Sequence, residues 1–165
     1  NPYLSDFYSN MERWSFNLQI YFLQHRFDSQ IKISNNNNGV IQDRTIYEDV
    51  QIFARNLHDM GHMSDRDWET YKNLFSNMVR FLKKPDIIIY LKASTDTLIS
   101  RIKKRNRDFE KNINPEYLYQ LNTSYNTWVK NEKDLNILTI ETDNFNIFKD
   151  RDRLNDIYKA VEGSL

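Results

Sequence analysis

The sequence predicts an α/β protein built on a parallel sheet. Amphipathic stretches of helical period alternate with short apolar runs of strand length along its 165 residues. Their order is helix, strand, helix, helix, strand, helix, helix, strand, helix. Helices between successive strands imply right-handed parallel crossovers. One run, Asp86-Ile87-Ile88-Ile89-Tyr90-Leu91, shows no polar alternation, which suits a strand buried on both faces.

Each element has its local reason. From Met11 to Phe27, Trp14, Leu18, Tyr21 and Phe22 recur at helical spacing on a broad apolar face. The run Asn35-Asn36-Asn37-Asn38-Gly39 reads as a loop. Val40-Ile41-Gln42-Asp43-Arg44 reads as a short strand ending in charge, and helical spacing resumes from Thr45 to Met60 and stops at Gly61. Ser64 with Asp67 three residues on is close to a capping box, opening a helix through Trp68, Tyr71, Phe75 and Phe81 to Lys84-Pro85. After the strand at Asp86–Leu91, Ser94 opens a helix with Leu98, Ile99 and Ile102 inside. Asn114-Pro115 starts the next, with proline at its first position. Leu135–Ile140 is a third strand and Asp150–Val161 a terminal helix. Three strands make a thin sheet against the usual five or so.

Composition excludes several classes. There is no cysteine, so disulfides, thiolate metal sites and cysteine nucleophiles are out. Lys and Arg (23) balance Asp and Glu (23), which argues against a non-specific nucleic-acid binder or a membrane-surface protein. No apolar run is long enough for a transmembrane helix. Only three glycines are present, Gly39, Gly61 and Gly163, so these residues contain no glycine-rich phosphate loop.

Three constellations carry chemistry. Asp43-Arg44-Thr45 sits where a strand gives way to a helix, the ligand-binding end of open α/β sheets. A carboxylate there takes a proton from a hydroxyl or holds Mg²⁺, and the guanidinium binds phosphate. The same residues also read as a helix N-cap and a surface ion pair. Arg101, Arg105 and Arg107, near Glu110, suit a polyphosphate if they converge, or form a solvated basic face. Gln19 and Arg26 share one helix face, and Asp49 and Phe53 share another. Together they offer an edge and a face to a nucleobase, though Gln and Phe are also ordinary core residues.

These segments together resemble the deoxynucleoside kinase family, which includes deoxycytidine, deoxyguanosine and bacterial deoxyadenosine kinases. The likeness rests on NPYLSDFYSNMERWSFNLQIYFLQHR (1–26), DRTIYEDVQIFARNL (43–57), IIYL (88–91), RIKKRNRDFE (101–110) and Tyr117-Leu118 to Trp128, and runs to about Glu141. It implies a P-loop kinase-type α/β/α fold of three layers over residues 1–165, with a lid at about 101–113. It also implies ATP-dependent phosphorylation of the 5′-hydroxyl of a deoxynucleoside, in nucleotide salvage. Asp43 matches the general base, with Mg²⁺ as a further role, and Arg44 the motif arginine near the transferred phosphoryl. Gln19 matches the reader of the base edge, Arg26 and Asp49 the pair facing the exocyclic group, and Phe53 the ring stacked on the base. Tyr8 and Glu110 match the residues holding the sugar 3′-hydroxyl, and Arg101, Arg105 and Arg107 the lid arginines on the ATP phosphates. The Arg–Asp pair favours a purine or deoxycytidine substrate over thymidine.

The sequence departs from the family pattern in three places. Phe109 stands where many members carry an acidic residue, and Phe22 is bulkier than the residue of some cytidine kinases. The phosphate loop and first strands should precede Asn1, in roughly 35–40 further residues by the size of a βαβ unit. The resemblance further implies a cytoplasmic homodimer, with aromatic helices at Phe7–Phe27 and Trp68–Phe81 as candidate surfaces. The alternatives are a thymidylate-kinase-like monophosphate kinase and a non-catalytic member of the fold.

Overall fold

The computed structural model describes residues 1–36, 38–110 and 113–165, and Phe109 by its backbone alone. Asn37 of the asparagine run, the Phe109 side chain and 111–112 of the expected lid lie outside the described residues.

The chain opens with a short helix that periodicity had not marked, α1 (Leu4–Ser9). Asn10 ends it and caps the next, its Oδ1 accepting from the Arg13 amide at 3.0 Å. Helix α2 runs from Met11 to Ser34, two turns beyond the predicted end at Phe27. It buries Leu18 and Leu23 but also Ser15, Gln19 and Gln30, so its inner face is partly polar.

The predicted strand at Val40–Arg44 is absent. These residues carry no regular secondary structure, and Ile41 is fully exposed. A strand exists through its ladder, and among the described residues the two strands of the sheet pair with each other. The helix expected over Thr45–Met60 is three pieces: α3 (Ile46–Glu48), a π-helical segment (Asp49–Ala54) and α4 (Arg55–Asp59). Gly61, at φ +78°, supplies the left-handed residue after it. Helix α5 (Asp65–Val79) starts as predicted at Ser64, whose side chain accepts from the Asp67 amide at 3.2 Å.

Strand β1 (Ile88–Lys92) lies parallel to β2 (Ile137–Glu141), with Ile88 opposite Ile137 and Lys92 opposite Glu141. β1 is not covered on both faces. Ile88 packs against Ile52 and Trp128, whereas Ile89 and Leu91, pointing the other way, are 42% and 63% exposed. The face that carries Ile89 and Leu91 is not bare throughout: Ile140 of β2, opposite Leu91, is buried. Helix α6 (Thr95–Arg105) is capped by Ser94 and stops at Asn106 in the left-handed conformation (φ 51°). A single 3₁₀ turn, Asp108–Glu110, follows. Helix α7 (Pro115–Asn131) has its predicted Asn114 cap and first-turn proline, and α8 (Arg151–Glu162) closes the chain.

The core has two centres. The larger joins Phe7 of α1, Leu18 and Leu23 of α2, Ile46 of α3, Tyr71 of α5 and Tyr117 of α7. The smaller joins Ile52 of the π-helix to Ile88 and Trp128, and so ties the helices to the sheet. The π-helix contributes to both through Val50 and Ile52. No described helix is long and apolar enough to cross a membrane.

Candidate active site

The site is built around the turn that enters α3. Thr45 is the N-cap there, its hydroxyl accepting from the Tyr47 amide at 3.3 Å. Its own amide donates to Glu48 Oε2 at 2.7 Å, and its hydroxyl also meets that oxygen. This capping box buries Glu48 and fixes the preceding turn. The cap falls on Thr45 rather than on Asp43, so the Asp43 carboxylate stands outside it, exposed. Arg44 is held at φ 60°, a conformation costly for any side-chain-bearing residue. Its guanidinium lies 4.7 Å over the ring of Phe53.

The π-helix presents Asp49 and Phe53. Turns of this kind are rare and concentrate at functional sites. Asp49 is 3% exposed, and its Oδ2 lies 3.7 Å from Nε of Arg26 on α2. Burial drives the Asp49 carboxyl up to about 7; the Arg26 charge opposes this, Glu48 adds to it and Arg44 opposes it. Gln19 is as deeply buried. Three polar atoms here, Gln19 Oε1, Arg26 Nε and Asp49 Oδ2, have no hydrogen-bond partner in the protein. The four residues expected to meet a base therefore come from α2 and the π-helix, which pack together.

A second group lies toward the 3₁₀ turn. Glu110 is 8% exposed and receives Arg105 through Nε at 3.0 Å and Nη2 at 2.7 Å. Arg107 approaches it at 3.6 Å. Tyr8 of α1 belongs to the same electrostatic neighbourhood. Burial raises its phenol, the Glu110 charge raises it further, and Arg44 and Arg105 act in the opposite sense. Tyr8, Glu110, Arg44 and Arg105 thus share one region.

The three lid arginines do not converge. Arg101 donates to the Thr142 carbonyl at 2.5 Å and to its Oγ1 at 3.1 Å, at the end of β2. Arg105 and Arg107 turn instead to Glu110. Helical spacing put Arg101 and Arg105 on one face, but each guanidinium goes to the nearest buried acceptor, and these lie on different elements.

Three contributors were not singled out as site residues by the sequence. Tyr125 of α7 meets Phe53 edge-on at 6.1 Å and stacks on Tyr90 of β1 at 5.4 Å. Burial raises its phenol, and so does that of Tyr117, which is also under the charges of Tyr8 and Arg44. Glu48 is the third. The pattern Thr-x-x-Glu was its signal, but it reads as a capping motif and not as part of a site.

Among the described residues no three His, Asp or Glu side chains are grouped to hold a metal. Mg²⁺ binds through one or two carboxylates plus substrate phosphates. The exposed Asp43 fits that sparse set as a single ligand.

Comparison with known proteins places this geometry. The model of the deoxynucleoside kinase family matches residues 1–165. The deoxyadenosine/deoxycytidine kinase of Bacillus subtilis (strain 168) is 38% identical over 163 residues, covering 98% of this chain and 75% of that protein. The deoxyadenosine kinase of Dictyostelium discoideum is 40% identical over 166 residues, and this chain spans 66% of it. The structure of deoxyadenosine kinase from M. mycoides with bound dATP superposes with a TM-score of 0.82 at 32% identity, over 96% of this chain and 81% of that one.

Proposed function

Because the chain belongs to the deoxynucleoside kinase family, we propose that it carries the nucleoside site, general base and lid of an ATP-dependent kinase acting on the 5′-hydroxyl of a purine deoxynucleoside or deoxycytidine. The observation that carries this reading is the buried trio Gln19 Oε1, Arg26 Nε and Asp49 Oδ2, which make no hydrogen bond in the protein beyond the 3.7 Å ion pair between the last two. Each buried polar atom left unpaired costs about 1–3 kcal/mol, and a base edge would supply the missing donors and acceptors at once. Phe53 would offer its face to the base, which requires Arg44 to leave the ring where the two overlap. Arg44 is then available near the 5′-hydroxyl. Tyr8 and Glu110 would hold the sugar, with Arg105 aiming the Glu110 carboxylate through its hydrogen bonds.

Asp43 would accept the 5′-hydroxyl proton as that oxygen attacks the γ-phosphorus in line. Arg44 would offset charge on the phosphoryl oxygens, and Arg101 and Arg107 would join it only on leaving Thr142 and Glu110. Mg²⁺, when bound with the phosphates, would neutralise them, with Asp43 the residue placed to share it. The test is Asp43→Asn in the intact enzyme. kcat should fall by about 10²–10⁴ with the circular dichroism spectrum and the nucleoside KM little changed. Near-normal turnover would remove Asp43 from the role of base. Assay of deoxynucleosides beside their 5′-monophosphates separates this reading from a monophosphate kinase, which would phosphorylate only the latter.

A further inference from the structure

In this structure Arg44 rests on the ring proposed to take the base. Its guanidinium lies 4.7 Å from the Phe53 centroid, well inside cation–π range. Among the described residues no carboxylate pairs with that guanidinium, so the ring is the partner it has. Arg44 is exposed and Phe53 half-buried, so the pair is not locked in the core. Phe53 otherwise packs against the cluster of Ile52, Ile88 and Trp128 and meets Tyr125 edge-on, which leaves the face under Arg44 as the one open to a ligand. The backbone beneath the arginine is fixed. Arg44 holds φ 60°, and the next residue, Thr45, is tied to Glu48 by the capping box. The guanidinium therefore moves by rotation of its long side chain while the turn stays in place. Its charge is felt at Asp49 in the base group and at Tyr8 in the sugar group, so it stands between the two.

We propose that Arg44 is a specificity-determining residue beyond its part in phosphoryl transfer: it covers the base-stacking face of Phe53, and a ligand frees the guanidinium for the 5′-hydroxyl by displacing it with a base. This rests on the reading that Phe53 stacks on the base. A planar base and a planar guanidinium compete for one π face. Stacking of a base on an aromatic ring outweighs an exposed cation–π contact, so the base wins the face, but its net affinity is lowered by the contact it replaces. Part of the stacking free energy is thus used to arm the arginine, an induced fit in which recognition of the base is the condition for transfer. A sugar without a base leaves Arg44 on the ring, however well Tyr8 and Glu110 hold it. The same arginine therefore opposes binding in the ground state and assists the reaction.

The experiment measures the Kd of deoxyadenosine and of adenine, without a phosphate donor, for the intact wild type, Arg44→Gly, Phe53→Leu and the double variant, and kcat beside them. Glycine suits the left-handed turn, so Arg44→Gly keeps the backbone. Arg44→Gly should bind both ligands about two- to tenfold more tightly, the worth of the lost cation–π contact, while kcat falls. Tighter binding with slower turnover is a pair of changes that structural damage does not produce. In the Phe53→Leu background the gain in affinity should vanish. In wild type the Arg44 Hε resonance, shifted upfield by the Phe53 ring, should move when deoxyadenosine saturates the site; this readout stands even where a variant folds poorly. An Arg44 resonance that does not respond overturns the proposal alone. So does an Arg44→Gly that binds no more tightly than wild type while Phe53→Leu weakens binding, or a gain that persists without the ring. A folded Phe53→Leu with unchanged affinity for deoxyadenosine and adenine overturns the stacking reading and this proposal with it.

Discussion

Asp49 is held against its own solvation. Its folded carboxyl sits at about 7 against an ordinary 3.8, so the folded state binds the proton more tightly than the unfolded one. Stability attributable to this residue is therefore greatest below the unfolded value and is lost as pH rises through the folded one. The full loss is on the order of 2–4 kcal/mol. Asn at this position cannot ionise but leaves Arg26 without its counter-charge. Asp49→Asn should be more stable than wild type by about 1–3 kcal/mol at pH 8, with the gain shrinking toward pH 5, as read by urea denaturation. A gain that grew at acid pH would contradict the burial argument. Spacing along the sequence pointed to Gln19, Arg26, Asp49 and Phe53, because residues four or seven apart share a helix face. It could not show that their polar atoms remain unpaired, since that depends on every neighbouring element. Nor could it show that Arg105 and Arg107 turn to Glu110 while Arg101 turns to Thr142.

The elements divide by the range of the forces that form them. The caps at Ser64, Ser94 and Asn114 were legible because a cap is a matter of three or four neighbouring residues. The strand expected at Val40–Arg44 was not found because alternation and β-branching cannot supply a ladder partner. The π-helix at Asp49–Ala54 was equally hidden. Its i→i+5 bonds have no compositional mark, and its inner side chains read as an ordinary helical face. The capping box just before it holds this segment in place. Thr45→Ala removes the hydroxyl's bond to Glu48 and the cap on the Tyr47 amide while leaving the backbone amide bond to Glu48, and should cost about 1–2 kcal/mol in thermal or urea unfolding. It should also lower kcat, because the Asp43-Arg44 turn loses its anchor. A loss of stability with undiminished kcat would show that the turn is held by other contacts.

Across the whole molecule, the α/β class with a parallel sheet was readable from segment order, and the relatives share the fold. How the sheet is covered was not readable: an unbroken apolar run looks the same whether one face or two are packed, and here Ile89 and Leu91 remain exposed. The smaller cluster of Ile52, Ile88 and Trp128 fastens the π-helix to β1 and α7, so the segment proposed to read the base also joins helices to sheet.

That shared placement makes recognition and folding one equilibrium. Gln19 and Asp49 are as buried as the leucines beside them, so unfolding dismantles the base site together with the core, and whatever occupies the site must be released first. A deoxynucleoside at about 100 times its Kd would add about 2.7 kcal/mol to stability, or roughly 5–10 °C in Tm for a protein of this size. Melting curves recorded without any phosphate donor would then rank the bases by fit, with deoxyadenosine, deoxyguanosine or deoxycytidine above thymidine. Equal shifts for all four would mean that the buried edge does not discriminate among them.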